Sequence, residues 1–309
     1  MVGAGATAQA HGGLRRGQAY ALGAALAWSS GGILQRQLSA GPADQIVGRA
    51  VFTLAGLLVF LAVREGRGLR ESFRSVANPA GIAVAAGIAI AAATFILALN
   101  YTTIAHVLVI QAVTPILAGL FALWSIGEGL SPRTWAAMAL AVLGIGVMVG
   151  VPHGGSALGE LMAFLSPLSF AFVIVIARRR RDISMAPATA VSQVMLVLAG
   201  LPLVHLGQLH AVDIGWLALL GLGQQGLGLV LFTIGARLIP AASMGLILIL
   251  ESVLGSVWGW LGTSEKPDLT TVLGGLMVLS AVAMKLREEA GRATPLSADG
   301  LVNSLPEDV

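Results

Sequence analysis

Ala98-Leu99-Asn100-Tyr101-Thr102 opens a stretch that runs through Gln111-Ala112-Val113-Thr114-Pro115 and Gly127-Glu128 to Leu143, and returns without a gap 137 residues later. Ala105 falls on Ala242, Leu108 on Gly245, Thr114 on Glu251 and Glu128 on Glu265. Few of these pairs are identities; what repeats is an apolar span, an acidic turn and a second apolar span. Upstream the offset is 142 to 144: Gly17 pairs with Gly159, Trp28 with Phe170, Arg36 with Arg178, Arg49 with Gln193 and Gly56 with Gly200. The chain reads as one apolar unit written twice.

Its composition puts that unit in a bilayer. The 309 residues are 56% hydrophobic and 11% charged, against about 25% charged in an ordinary soluble domain, and the mean hydropathy is +0.87. A soluble fold so poor in charge could not cover its surface. A span needs about 20 apolar residues, and ten stretches qualify: 17–38, 44–63, 80–100, 104–124, 132–150, 157–177, 186–206, 213–236, 241–261 and 269–286. Gly, Pro or charge marks the connections, as in Gly41-Pro42, Asn78-Pro79, Ser131-Pro132 and Ala186-Pro187. The alternation that a membrane barrel requires is absent, which leaves helices. The expected division is a disordered cytoplasmic tail over 1–16, a first five-helix unit over 17–150, a second over 151–288 and a second disordered tail over 289–309.

Charge supplies the orientation. With the N-terminus in the cytoplasm, fifteen of the eighteen Lys and Arg lie on the cytoplasmic side, among them Arg15, Arg16, Arg64, Arg70, Arg74, Arg133, Arg178 to Arg181 and Lys285. That bias satisfies the positive-inside rule and makes both termini cytoplasmic. Each unit has an odd number of spans, so the second enters the membrane from the opposite side. Inverted repeats of this kind point to transport, with a central site at their interface. The net charge of +3 is no sign of nucleic-acid binding, because the arginines cluster between spans rather than along one face.

Polar residues inside spans are then the candidates for function. Glu251 lies in the middle of Leu246-Ile247-Leu248-Ile249-Leu250-Glu251-Ser252. It is either a carboxylate satisfied between packed helices or a substrate-amine contact or proton carrier. Arg49 is the matching lone cation; it could snorkel outward or hold a carboxylate, that of Glu251 or of a substrate, and a structural role is favoured for it. Gln111 and Thr114 share a helical face ahead of Pro115. Gln224 and Gln225 lie in a Gly-rich run, and Thr94 is an isolated hydroxyl. Trp28-Ser29-Ser30-Gly31-Gly32 and its repeat partner Ser166-Pro167-Leu168-Ser169-Phe170 weaken spans one and six at their centres, with Trp28 opposite Phe170. Trp124, Trp258 and Trp260 read as interfacial anchors. His106, His153, His205 and His210 have no ligand spacing, and the chain has no cysteine. No metal set, phosphate loop or nucleophile elbow is visible, so neither a cofactor nor an enzyme is expected.

Together these residues resemble the drug/metabolite transporter superfamily, specifically its ten-helix exporters built from two EamA repeats. The carrying residues are Ala27-Trp28-Ser29, Arg49, Ala98 to Thr102, Thr114-Pro115 and Gly127-Glu128, followed by Gly235-Ala236-Arg237, Glu251-Ser252 and Ser264-Glu265-Lys266. Ser252 stands where the repeat usually has proline, which predicts a straighter ninth span. The closest likeness is to amino-acid and metabolite exporters. It implies a bacterial inner-membrane protein that moves a small-molecule substrate by alternating access; the oligomeric state is left open, with a monomer compatible. The cavity implied is lined by Trp28, Thr94, Gln111, Thr114, Phe170, Gln224 and Glu251. Gln111, Thr114 and Gln224 would hold a zwitterionic head, Trp28 and Phe170 a side chain, and Glu251 any coupling proton. Drugs and phosphorylated sugars are the rival cargoes; phosphates would want more cavity cations than Arg49.

Overall fold

A computed structural model describes residues 2–35, 37–102, 107, 110–127, 129–149, 156–180, 185–204, 210–263 and 269–293. Expectations that fall on Arg36, His106, Glu128, His153, Arg181, His205 and 264–267 lie outside these residues, as does the side chain of Trp260. Among the described residues every regular element is a helix. They are α1 (Val2–Ser29), α2 (Gly31–Gln35), α3 (Pro42–Glu65), α4 (Leu69–Val76), α5 (Pro79–Tyr101), α6 (Thr114–Ile126), α7 (Pro132–Val149), α8 (Ala157–Arg179) and α9 (Met185–Gly200). There follow α10 (Ala211–Ala218), a π-helical segment (Leu219–Gly226), α11 (Leu227–Gly235), α12 (Ala241–Leu248), α13 (Leu250–Thr263) and α14 (Leu269–Ala293).

The starts and stops follow local chemistry. Asn78 caps α5 by accepting from the amides of Ala80 and Gly81, both at 3.1 Å, and Ser156 caps α8 through Gly159 N at 3.0 Å. Pro42, Pro79 and Pro115 sit in first turns, where the missing N–H has no intrahelical partner to lose. Gly127 ends α6 at φ 70°, a left-handed conformation suited to glycine.

Six helical stretches are long and apolar enough to cross a membrane: Pro42–Arg64, Pro79–Tyr101, Ala157–Arg179, Ala186–Leu203, Ala211–Gly235 and Leu269–Glu288. Three shorter apolar ones are Thr114–Ser125, Pro132–Val147 and Ser243–Gly255. At about 1.5 Å per residue, a 23-residue helix spans roughly 35 Å, more than the hydrocarbon core. Large apolar side chains such as Leu58, Val59, Leu143, Leu198 and Leu276 point outward, as a lipid-facing surface requires. Inside, alanines close the helix contacts: Ala21, Ala24, Ala25, Ala85, Ala137 and Ala141 are wholly buried.

Two helices run beyond the bounds expected for the helical units. Residues 2–16, read as a disordered tail, form the first part of α1. Ala4, Ala6, Ala8 and Ala10 are strong helix formers, and extending an existing helix avoids the cost of nucleation. The last helix likewise continues past 288 to Ala293. The connection after span two also holds a short amphipathic helix, α4, with Phe73 and Val76 turned inward and Arg70 and Arg74 exposed.

The packing has an exchange symmetry. Call α1, α3, α5, α6 and α7 one set, and α8, α9, α10–α11, α12–α13 and α14 the other. Swapping the sets turns the α5–α8 contact into the α11–α1 contact, and α5–α9 into α3 against the π segment. It turns α6–α8 into α1 against α12 and α13, and leaves α3–α9, α7–α14 and α6–α12 as pairs between equivalent helices.

Candidate functional site

Four irregularities meet at the centre of the bundle. The first is the gap between α1 and α2, where three successive carbonyls accept side-chain donors. Ser29 Oγ donates to the Leu26 carbonyl at 2.7 Å, Ser30 Oγ to Ala27 at 2.9 Å, and Gln224 Nε2 to Trp28 at 3.1 Å. Unpaired backbone is costly inside a membrane, so these bonds are what make the break tolerable. Gly31 is required beside it, because a Cβ there would stand 2.8 Å from Gln224 Nε2. Trp258 Nε1 donates to Ser29 Oγ at 2.8 Å, so this indole ties α13 to α1 rather than anchoring at the interface. Trp124 does stand exposed near the end of α6.

The second irregularity is the π-helical segment. Gly221 lets it lie on α3: a Cβ at that position would be 2.7 Å from the Arg49 carbonyl. Thr53 Oγ1 bridges the two, donating to Arg49 O at 2.8 Å and Gly221 O at 3.0 Å. The widened turn sends neighbouring glutamines to different helices. Gln224 binds the Trp28 carbonyl on α1, and Gln225 Oε1 accepts from Arg49 Nη2 on α3. π-Bulges often mark functional sites.

The third and fourth are a matched pair. Ala112 and Val113 form a turn before α6, and Ile249 is a turn between α12 and α13. Ala112 plus 137 is Ile249, so both halves interrupt the same element at the same point. The ninth span is thus interrupted at Ile249, although Ser252 stands in place of the usual proline. Just before this turn Gly245 on α12 presses against Pro115, where an added Cβ would lie 3.1 Å from Pro115 Cα. In the first half, Thr114 Oγ1 donates to Gln111 O at 2.6 Å, and Gln111 Nε2 to Ser166 Oγ at 3.0 Å. Ser166 Oγ then donates to Ala91 O at 3.0 Å, tying α6 and α8 to α5.

Around these breaks lies a cavity with about 130 Å³ open to the centres of water-sized molecules. Of the expected site residues, Trp28, Gln111, Thr114, Phe170, Gln224 and Glu251 all line it. Thr94 does not. Its hydroxyl donates its proton back to its own helix at Ile90 O, 2.7 Å away. Arg49, Gln225, Ser166, Ser252 and Phe95 join the lining without having been singled out as site residues. For Arg49 the signal was present, a lone cation inside a span. Trp28 meets its repeat counterpart Phe170 edge-on at 5.6 Å, and Phe232 completes the aromatic group at 4.9 Å from Phe170. Among the described residues, Trp28 Nε1 and Gln224 Oε1 are buried without a hydrogen-bond partner. Arg49 and Glu251 line the cavity from opposite sets of helices. The described residues hold no group of His, Cys, Asp and Glu arranged to bind a metal.

Discontinuous helices meeting at a polar cavity inside an apolar bundle define a class, the polytopic membrane transporter. The chain belongs to the EamA-like transporter family, whose model matches it twice, over residues 15–150 and 157–287. It is 23% identical over 208 residues to the uncharacterized transporter YxxF of Bacillus subtilis (strain 168), a match covering 64% of this chain and 66% of that protein. It is 25% identical over 164 residues to an uncharacterized transporter of Archaeoglobus fulgidus, covering 52% of this chain and 60% of the relative. The matches thus span just under two thirds of these relatives' lengths. A solved crystal structure of a protein 17% identical in sequence shares the fold, with a TM-score of 0.74 over 90% of this chain and 99% of that one.

Proposed function

We propose that this chain is a ten-span, inverted-repeat exporter of small metabolites, amino acids foremost, working by alternating access through the central cavity. The observation that carries the reading is the matched pair of helix breaks, one in each half, that open onto the cavity. The exchange symmetry of the packing and the double family match support it. The ten spans are the six long apolar helices, the three shorter ones and the part of α1 beyond residue 16, continued by α2. The arginine distribution supports cytoplasmic termini in a bacterial inner membrane. Trp28 and Phe170 give an apolar side chain an aromatic wall. Arg49 is the one cation among the described lining residues, which disfavours phosphorylated cargo.

The test is flux. Reconstituted in liposomes, the protein is expected to move labelled neutral amino acids, and Trp28→Ala or Gln111→Ala to lower the rate at least tenfold with unchanged reconstitution. Movement of lipophilic cations alone would replace the cargo, and unchanged flux in both variants would remove the site. Cysteines introduced singly at Arg16 and Arg179 should react with a membrane-impermeant reagent only from the cytoplasmic side.

A further inference from the structure

The amide and hydroxyl groups expected to hold a substrate's polar head each already make a bond within the protein. Gln111 Nε2 is committed to Ser166, Thr114 Oγ1 to the Gln111 carbonyl and Gln224 Nε2 to the Trp28 carbonyl. Two of these bonds hold backbone carbonyls beside the helix breaks, and the third ties Gln111 to α8. Beside the unpartnered Trp28 Nε1 and Gln224 Oε1, the strongest uncommitted polar capacity of the cavity is ionic. Arg49 on α3 spends one guanidinium arm on Gln225 and keeps its remaining donors, in a planar fork that matches a carboxylate. Glu251 stands in the first turn of α13, where the helix N-terminus favours a negative group. Both residues line the cavity, and no ion pair joins them among the described residues.

Resting on the transporter reading above, we propose that the zwitterionic head of an α-amino acid binds between these two residues, its carboxylate on Arg49 and its ammonium on Glu251. A site with one positive and one negative group is neutral as a whole. A zwitterion of matching sense satisfies both at once, whereas a simple amine or acid satisfies one and leaves the other desolvated and unpaired, which is costly inside a membrane. The pair also gives the substrate a direction. The repeat partner of Arg49 is Gln193 and that of Glu251 is Thr114, so neither charge is duplicated. A pseudo-symmetric cavity would accept the head either way round; two unduplicated charges accept it one way, with the side chain left to Trp28 and Phe170.

The experiment compares leucine with leucinamide, which lacks the carboxylate, and N-acetylleucine, which lacks the ammonium. The readout is the ligand-induced rise in melting temperature of the detergent-purified protein, from which Kd ratios follow. Wild type is expected to favour leucine at least tenfold over either analogue. Glu251→Gln should lose at least tenfold for leucine and favour N-acetylleucine over leucinamide; Arg49→Gln should show the reverse order. Variants that stay monodisperse yet weaken all three ligands equally, or keep the wild-type order, overturn the proposal. If a single variant does not fold, Arg49→Gln/Glu251→Gln, which strands no charge, is measured instead. Loss of discrimination among the three supports the proposal, and retained discrimination overturns it. Wild type that ignores all three ligands while another solute crosses liposomes ends this proposal and leaves the transporter reading standing. Absence of flux for every solute ends that reading.

Discussion

Trp28 shows how far a single residue is readable. Its importance follows from the alignment with Phe170, two aromatics at equivalent points of weakened helices. That they touch, and that the indole nitrogen lies against Gly228 on α11, comes from the fold: a Cβ on Gly228 would overlap the indole ring. Gly228→Ala is therefore expected to lower stability by about 1–3 kcal/mol through overpacking, read as a lower melting temperature in detergent. Thr94 marks the opposite case. An isolated hydroxyl in an apolar span looks the same in sequence whether it faces a cavity or bonds back to its own helix, and here it does the latter. Arg49 was visible as a lone cation, but its bond to Gln225 depends on the π turn.

Helix breaks are the units that build the site, and they differ in legibility. The α1–α2 gap follows from Ser29-Ser30-Gly31-Gly32, and α6 begins where Pro115 permits. The turn at Ile249 sits in an unbroken apolar run with no local signal; only its alignment with Ala112 points to it. The π segment has glycines at Gly221, Gly223 and Gly226, which allow close approach without dictating a wider turn. Thr53 is the side chain that joins this segment to α3. Replacing it with valine, nearly the same shape, should cost about 0.6 kcal/mol, a typical value for a hydrogen bond within a membrane. Thr53→Ser should recover most of that loss, and thermal unfolding of the purified variants decides the point.

At the scale of the molecule, the two last spans of the halves, α7 and α14, are joined by a buried polar cluster. Lys285 Nζ donates to Thr134 Oγ1 at 2.9 Å and lies 3.8 Å from Glu288, which in turn accepts from Ser131 and Thr134. In sequence Lys285 counts as a cytoplasmic charge at the end of the last span; in the fold it is 5% exposed. Removing one partner strands the other, so Lys285→Met or Glu288→Gln should each cost about 3–5 kcal/mol. The double replacement Lys285→Met/Glu288→Leu should cost less than the sum, because it leaves no unpaired charge. A double-mutant cycle on melting temperatures measures the difference.

The sequence by itself determined that this chain is helical, apolar and duplicated, because composition, span length and repeat offset are sums over local windows. It also determined which side chains stand out as polar within apolar runs. The tertiary structure decided which of them meet. Whether an amide faces the cavity or a carbonyl, and which helices press together beside a break, depends on neighbours far away in the chain: Gln224 on Trp28, Arg49 on Gln225, Gly245 on Pro115. Inside a bilayer every displaced backbone group must find a partner within the protein. The site therefore forms where distant segments can satisfy one another, and no local stretch of sequence records that.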